Sequence, residues 1–396
     1  MRVALVGLLL GLGASQAAAQ SRVAVLSEPG TPVVATEILL AVGPADEEDD
    51  LAGLAFLAAR TVVAPILPVL DSLGAHLTVT PQKDALSFSI VSAPDAWQES
   101  TELLAEVLFN DPPSTSAMER EREAIVRELE GRTANPADAA TRAMDRAFFG
   151  SSHPWGRPTI GTPESVRRIN FADLGEFLRN NFTPGRAFAA TSGPVEPASA
   201  TAHLQPLLGT RSAAPVELIP FRPAERPVRI EYNSITTWVG ASFRFPETAD
   251  EDVMRFIAFL AARELAPSPA QRSVYNVESE VVTRVGGGEI RLQVVVPPEE
   301  AEDWEERMTD VIADLLATPL PEDVYAGLLR RFRGERLMEL ASPEERAHAA
   351  ARQLLIQGEV GELAPSIDGL TAQVVREAAA SLGPPTVVVL GPTLEN

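Results

Sequence analysis

The chain has 396 residues with a formal net charge of −22, and 45% of its residues are hydrophobic. This length allows two domains with sizeable cores, and the acidic balance argues against nucleic acid or an anionic lipid surface as partner. The chain has no cysteine, which excludes disulfides, thiol catalysis and cysteine metal sites.

The beginning of the chain has the pattern of a secretory signal. Arg2 supplies a positive charge, an apolar run from Val3 to Leu12 follows, and Ala17 to Ala19 are small enough for cleavage. The apolar run is too short to span a bilayer. We therefore expect residues 1–19 to be removed on export, with an amphipathic first helix or a retained anchor as alternatives. An exported chain without cysteine suggests the periplasm of a bacterium, and no later apolar run predicts stable membrane insertion.

Strand and helix patterns alternate through the first half of the chain, residues 20–208. Apolar alternation predicts strands and a hairpin, and apolar residues at helical spacing predict helices. The predicted elements are a strand at Val33 to Gly43, helix from Leu51 to Leu70, a hairpin turning at Pro81 to Asp84, helices at Trp97 to Phe109 and Met118 to Arg132 and on to about Phe149, and a strand at 187–193.

Residues 209–226 have little periodicity and several prolines, which predicts an interdomain linker. The same order of patterns then returns in residues 227–396. The predicted elements are strands at Val228 to Tyr232 and Thr237 to Phe245, a helix at Asp250 to Leu265, a hairpin at Glu278 to Val296 with Gly286 to Gly288 at its turn, helices at Glu299 to Leu316, Pro321 to Leu340 and Pro343 to Gln357, and a strand at 386–391.

Both halves thus follow the order strand, helix, hairpin, long helices, strand. The repeat lies in the order of elements and not in sequence identity. Strands with helices segregated to one face indicate an α+β architecture. We therefore predict two similar domains, residues 20–208 and 227–396, each a mostly antiparallel sheet covered by helices.

The residues themselves offer little catalytic chemistry. None of the four histidines has the i, i+3 or i+4 spacing of a zinc motif, and we interpret His76, in a strand, and His203, in an Ala-rich helix, as surface or satisfied residues. No P-loop, GxGxxG or GxSxG motif is present. The glycines 286–288 lie between alternating strands, which favours a turn over a phosphate cradle. The charged stretch at 117–132 reads by itself as a solvent-facing helix.

Taken in order, however, five stretches resemble the pitrilysin/insulinase family of zinc peptidases, which includes the mitochondrial processing peptidase. The most specific likeness lies in Gly156-Arg157, Gly161-Thr162 and the run Phe182 to Gly185. The resemblance implies that the two domains form one half of a clamshell. The stretches are LAVGPADEEDDLAGLAFLAART, the segment from LDSLGAHLTVT to REAIVRELE, the segment from HPWGRPTIGT to SGPVEP, APSPAQRSVYNVESEV and LPEDVYAGLLRRFRGERLMEL.

Active members of this family carry H-x-x-E-H on a first-domain helix and a further glutamate downstream. The resemblance places the three motif positions on Phe56, Ala59 and Arg60, and the distant glutamate on Glu128. Phenylalanine and alanine cannot bind zinc, and arginine is a fixed cation that would repel it. We therefore expect no metal and no catalytic residue in this chain. We also expect Arg60 to pair with Glu128 where the metal would lie.

Family members also bind substrate with an arginine and a tyrosine of the second domain, in the pattern R-x-x-x-Y. Arg272 and Tyr275 stand one residue closer than that pattern requires. The resemblance implies that they grip a peptide carbonyl. The alternative is a surface arginine beside a tyrosine that begins a strand.

Three functions stay open at this point. The first is a non-catalytic periplasmic subunit of a zinc peptidase, which pairs with a related exported chain whose HxxEH motif and zinc are intact and which helps to bind an unfolded peptide. The second is a peptide-binding or scaffold protein of the same fold with no peptidase role. The third, an autonomous hydrolase, has no nucleophile, base and orienting group that the sequence can supply.

Overall fold

The computed structural model describes residues 21–110, 112–132, 134–209, 218–266, 274–317, 320–364 and 367–393. The predicted signal, residues 210–217 of the predicted linker and Arg272 lie outside these residues. None of the helices in the described part of the chain combines the length and the apolar character needed to span a membrane.

The first half builds a five-stranded sheet in the order β1-β5-β2-β4-β3. Only the pair β1 and β5 is parallel, and all other neighbours are antiparallel. β2 and β5 are buried along their whole length, because helices cover both faces of the sheet, while β3 alternates as an exposed edge strand. The strands are β1 Val23–Ser27, β2 Val34–Leu40, β3 His76–Pro81, β4 Leu86–Ser92 and β5 Ala187–Gly193.

The first half contains eight α-helices within the described residues, and α5 is the one that packs on the second sheet instead of the first. The predicted helix Leu51 to Leu70 is in fact two helices, because Pro65 has no N–H to continue the first one. The core beneath them is centred on Leu57, Phe88 and Leu104. The helices are α1 Leu54–Val63, α2 Leu67–Ser72, α3 Trp97–Phe109, α4 Thr115–Arg132, α5 Pro136–Phe149, α6 Pro163–Arg168, α7 Phe171–Asn181 and α8 Pro197–Leu207.

The second half repeats the layout with the sheet order β6-β10-β7-β9-β8, in which only β6 and β10 are parallel. The predicted α+β class, two similar and mostly antiparallel sheets covered by helices, is confirmed. The elements are β6 Val228–Glu231, β7 Thr237–Pro246, α9 Glu251–Leu265, β8 Asn276–Arg284, β9 Gly287–Val296, α10 Ala301–Ala317, α11 Glu322–Glu339, α12 Pro343–Gln357, α13 Ala372–Ala380 and β10 Thr386–Gly391.

Each half gives one helix to the sheet of the other half. Helix α12 packs on β2 and β5 of the first sheet, where Leu354 joins an apolar cluster with Leu39 and Phe188. Helix α5 packs on β7 and β10 of the second sheet, where Met144 lies so close to Gly240 that a Cβ there would meet its sulfur at 2.3 Å. The two halves are therefore interlocked rather than merely joined by a linker.

Candidate functional site

Helix α1, which carries the three motif positions, begins at a tight crossing of two chain segments. Gly53, with φ +93°, precedes the helix, and a Cβ at this residue would lie 2.7 Å from the carbonyl oxygen of Ile160. Glycine is the residue that tolerates both this backbone and this contact. The crossing fixes where α1 starts and therefore which side chains face α4.

The acidic loop before α1 caps the helix with one buried carboxylate. Glu47 accepts hydrogen bonds from the backbone N–H groups of Ala55 at 2.9 Å and of Gly53 at 3.2 Å. These amides have no partner within the helix, so the carboxylate stabilises its N-terminus. Burial nevertheless raises the pKa of Glu47 to about 7, against the opposing effect of the two amides and of Arg157.

The face of α1 that resembles a zinc motif is filled by apolar groups and one cation. Phe56 and Ala59 are buried. The side chain of Arg60 is 30% exposed, and its guanidinium lies 5.8 Å from the centre of the Phe56 ring. Neither buried residue has a metal-binding atom, so this face does not fit zinc.

Arg60 faces two carboxylates of α4. Its Nη2 and Nε atoms lie 2.7 and 2.8 Å from Glu121, and its Nη1 lies 3.6 Å from Glu128. The expected pairing with Glu128 therefore forms, but Glu121 is the closer partner. Glu128 is half-exposed and also lies 3.5 Å from Arg132 on its own helix. The guanidinium thus supplies positive charge between two carboxylates.

Glu121 is a site residue that the sequence reasoning missed. It lies seven residues before Glu128, which is two turns of an α-helix, so both carboxylates project from one face of α4. The seven-residue spacing from Glu128 could have identified Glu121 from the sequence. Within the described residues no group of three or more histidine, aspartate or glutamate side chains could hold a metal ion.

Of the two residues expected to bind substrate, the structure describes one. Tyr275 immediately precedes β8 at the edge of the second sheet, and its backbone N–H donates to the carbonyl of Val295 at 2.9 Å. Its side chain is 64% exposed. Arg272 lies outside the described residues. In the described part of the chain no hydrogen bond or ion pair joins Tyr275 to Arg60 or Glu128, so its role stays a prediction.

The structure brings together a serine, a carboxylate and a histidine elsewhere. Glu37 on β2 is fully buried, and its Oε1 atom accepts hydrogen bonds from the Ser87 hydroxyl and, at 3.2 Å, from Nδ1 of His348 on α12. In a hydrolytic triad the histidine lies between the serine and the carboxylate. Here the carboxylate lies in the middle and the serine is buried, so the arrangement joins α12 to the first sheet and is not a triad.

The other histidines have structural roles where they are buried. His153 accepts from the N–H of Trp155 at 3.1 Å and contacts the carbonyl of Ile219 at 3.1 Å, and burial lowers its pKa. His203 lies 2.8 Å from the Thr101 hydroxyl. His76 is exposed on the edge strand β3. The interpretation of His76 and His203 as surface or satisfied residues agrees with these positions.

A buried charge network joins the two halves where their hairpins meet. Asp145 on α5 accepts from Lys83, the only lysine of the chain, at 2.8 Å and from Arg291 on β9 at 2.7 Å. Arg291 and Arg284 also pair with the fully buried Glu289. Burial by itself would raise the pKa of Glu289, but the two guanidinium groups lower it to about 2.

The same region encloses a polar cavity of about 1010 Å³ between the domains. Arg352 of α12 crosses it to bind Asp84 in the β3–β4 turn at 2.8 Å and the carbonyl of Thr283 on β8 at 2.7 Å. Burial would raise the pKa of Asp84, but Arg352 holds it below its usual range. The edge strands β3 and β8 therefore both end at this group of buried ion pairs, which we call the ionic junction.

These features define a class of protein: two interlocked α+β domains whose first-domain helix is laid out like a zinc-motif helix but lacks its ligands. Residues 22–163 match the family model described as insulinase (peptidase family M16). The resemblance to the pitrilysin/insulinase family is thereby confirmed over these residues.

Similar proteins agree with this assignment. An uncharacterized zinc protease of Mycobacterium leprae is 29% identical over 191 residues, which cover 46% of this chain and 43% of that protein. Subunit 1 of the human mitochondrial cytochrome b-c1 complex is 28% identical over 126 residues, 32% of this chain and 26% of the subunit. The matches thus span less than half the length of these curated relatives.

A solved structure extends the likeness to the whole fold. The peptidase M16 inactive domain from Pseudomonas fluorescens superposes with a TM-score of 0.81 at 18% identity, covering 96% of this chain and 97% of that one. At this level of identity the match shows the fold alone. It extends the shared fold beyond residues 22–163 to nearly the whole chain.

Proposed function

We propose that the chain is a non-catalytic subunit of a periplasmic zinc metallopeptidase of the insulinase and processing-peptidase type. It supplies substrate-binding surface, and a related exported chain with an intact HxxEH motif supplies the zinc. The observation that carries the proposal is the face of α1, where Arg60 is held by Glu121 and Glu128 and where Phe56 and Ala59 offer no ligand.

The substrate is an unfolded peptide that adds a strand to an exposed sheet edge. The first sheet ends in β3, which pairs only with β4 among the described strands. The free edge of such a strand presents backbone donors and acceptors to an extended chain. Arg272 and Tyr275 of the second domain would then hold the peptide from the other side.

The test is reconstitution of the two chains. The purified protein, the partner with intact HxxEH and their mixture are each incubated with a quenched fluorescent peptide that lacks secondary structure. We expect the mixture to cleave faster than the partner alone and to lose activity with a chelator, while this chain alone is inert. Zinc-dependent cleavage by this chain alone, or no effect on the partner, would contradict the proposal.

Substitutions in the second domain test whether Arg272 and Tyr275 bind the substrate. Arg272→Ala or Tyr275→Ala should raise the KM of the mixture with little change in kcat, since these residues grip substrate and do not touch the metal. Arg376→Ala, an exposed arginine of α13, is the matched control and should leave both constants unchanged. Equal effects of Arg272→Ala and Arg376→Ala would exclude Arg272 from the substrate site.

The second candidate function is a scaffold or peptide-binding protein without a peptidase role. It is favoured by the shortened spacing from Arg272 to Tyr275 and by the similarity to a cytochrome b-c1 subunit. A chain that binds the quenched peptide, or a partner, without ever accelerating its cleavage would support this function.

A further inference from the structure

A second cavity, separate from the face of α1, lies at the junction of the two halves. It has a volume of about 240 Å³ and is enclosed by the end of α5, the turn between β8 and β9, and residues 218–221. Its walls are largely aromatic. The rings are Phe148, Phe149, Trp155 and Phe221, and the partly exposed side chains Leu218 and Ile219 also line it.

The turn that closes the cavity depends on glycine. Gly286 has φ +88°, and a Cβ at this position would lie 2.6 Å from a methyl group of Leu218. The turn can therefore approach the cavity wall only because no side chain is present. The predicted glycine turn thus also shapes the cavity.

An arginine without a carboxylate partner lies on the cavity lining. The Cζ atom of Arg244 is 4.5 Å from the centre of the Phe221 ring. In the described part of the chain Arg244 forms no ion pair, and the nearby Glu289 is already held by Arg284 and Arg291. A guanidinium stacked on a ring keeps the N–H groups at its edge free to bind an anion in its own plane.

A second polar group of the lining also lacks a partner. Trp155 is 8% exposed, and its indole Nε1 has no hydrogen-bond acceptor among the described residues. Buried donors are normally paired, since an unpaired one carries a desolvation penalty.

From this geometry we propose that the cavity binds a small aromatic carboxylate. The ring of the ligand packs among the aromatic walls, and its carboxylate pairs with Arg244 at the mouth. The volume suits one aromatic ring with a short acidic arm, because drug-sized ligands need about 300 Å³ or more. Arg244 and Arg284 would repel a cation, and the apolar walls disfavour inorganic phosphate. The site is independent of the proposed peptidase partner.

Calorimetric titration of the full chain with phenylacetate tests the proposal. We expect saturable binding that weakens about tenfold or more in Arg244→Ala, since a charge-assisted hydrogen bond is lost. Arg376→Ala is the matched control and should bind like the wild type. The neutral analogue phenylacetamide should also bind about tenfold or more weakly than phenylacetate.

The peptides Gly-Gly-Phe and Gly-Gly-Phe-amide distinguish two sources of this chemistry. Binding of phenylacetate alone identifies a free aromatic acid as ligand, and binding of the free-acid peptide but not its amide identifies a chain terminus. Either outcome supports the proposal if it depends on Arg244. Absence of saturable binding for both acids, equal binding of acid and amide, or full affinity in Arg244→Ala would overturn it.

Discussion

Arg60 on α1 and Glu121 on α4 form a two-atom contact, with Nη2 and Nε of the arginine 2.7 and 2.8 Å from the same carboxylate oxygen. Glu128 lies 3.6 Å away on the other side of the guanidinium. The arginine therefore does more than occupy a position where the family has a ligand. It joins α1 to α4 and offsets the negative charge of two carboxylates on one face of α4.

Removal of this cation should weaken the fold. Arg60→Ala removes the counter-charge that Arg60 gives to Glu121 and leaves Glu128 with Arg132 alone, so we expect the free energy of unfolding to fall by about 1 kcal/mol. Urea denaturation at low salt measures the change. Arg127→Ala, which removes an exposed pair with Glu123 on the same helix, is the control and should have a smaller effect. Equal losses in the two variants would argue against a bridging role.

The backbone of α1 should still be able to present a metal site. In the variant Phe56→His, Ala59→Glu, Arg60→His, two imidazoles stand at i and i+4 on one helix face, with Glu128 across from them. We expect this variant to retain zinc after dialysis, at about one ion per chain, whereas the wild-type chain retains none. Metal analysis of the purified proteins measures it.

Adding Glu128→Gln to that variant is the matched control, because the amide is a poor replacement for a carboxylate ligand. We expect the zinc content to fall with this change while circular dichroism stays the same. Zinc retained equally in both variants would mean that Glu128 does not belong to the restored site.

Stability should depend on pH through Glu47. Its pKa is raised from 4.5 to about 7 in the folded chain, so the folded state takes up a proton that the unfolded state releases. This contribution is fully present below about pH 4.5 and is lost as the pH rises through about 7. Glu47→Gln removes the titration and keeps an acceptor for the helix amides. We expect the variant to gain about 1–3 kcal/mol relative to the wild type between pH 4.5 and pH 8.

Denaturation curves of both proteins at the two pH values measure this gain. The neighbouring Glu48→Gln is the control, because Glu48 is exposed. A gain of the same size in Glu48→Gln would assign the effect to net charge in the acidic loop and not to burial of Glu47.

The junction between the halves should depend on Asp145. Asp145→Asn leaves Lys83 and Arg291 buried without their shared carboxylate, and breaking a buried network in this way costs about 3–5 kcal/mol. Chemical denaturation measures the loss. Glu335→Gln removes an exposed i, i+4 pair with Arg331 and should change stability by less than about 0.5 kcal/mol. Similar losses of stability in the two variants would show that the ion pairs of Asp145 do not stabilise the junction.

Local sequence pattern predicted the elements that have a clear period. The helices at Trp97–Phe109 and Pro343–Gln357 and the strand at 386–391 have the predicted bounds. Helix α7 was missed although Asn170 and Asp173 form a capping box at its start. Strand β1 is a short, partly buried edge strand and was missed because it follows closely on the signal-like segment.

The candidate site was predictable only as far as the family motif reaches. The family motif identified Phe56, Ala59, Arg60 and Glu128, but it does not include Glu121. The ionic junction could not be predicted at all, because its members come from strands and helices of both halves. An amphipathic pattern tells which face of a helix is buried, but it does not tell which sheet covers that face.

Helix α5 covers the second sheet and α12 covers the first. This arrangement fixes when each sheet can be covered as the chain is synthesised. The first sheet has all its strands once residue 193 has been made, yet one of its faces stays open until residues 343–357 exist. Until then Leu39 and Phe188 have no covering helix, and exposed apolar sheet faces promote aggregation. A fragment that ends in the linker would keep this exposed face permanently. The sheet of the first half therefore gains its full cover only when the last part of the chain has been made.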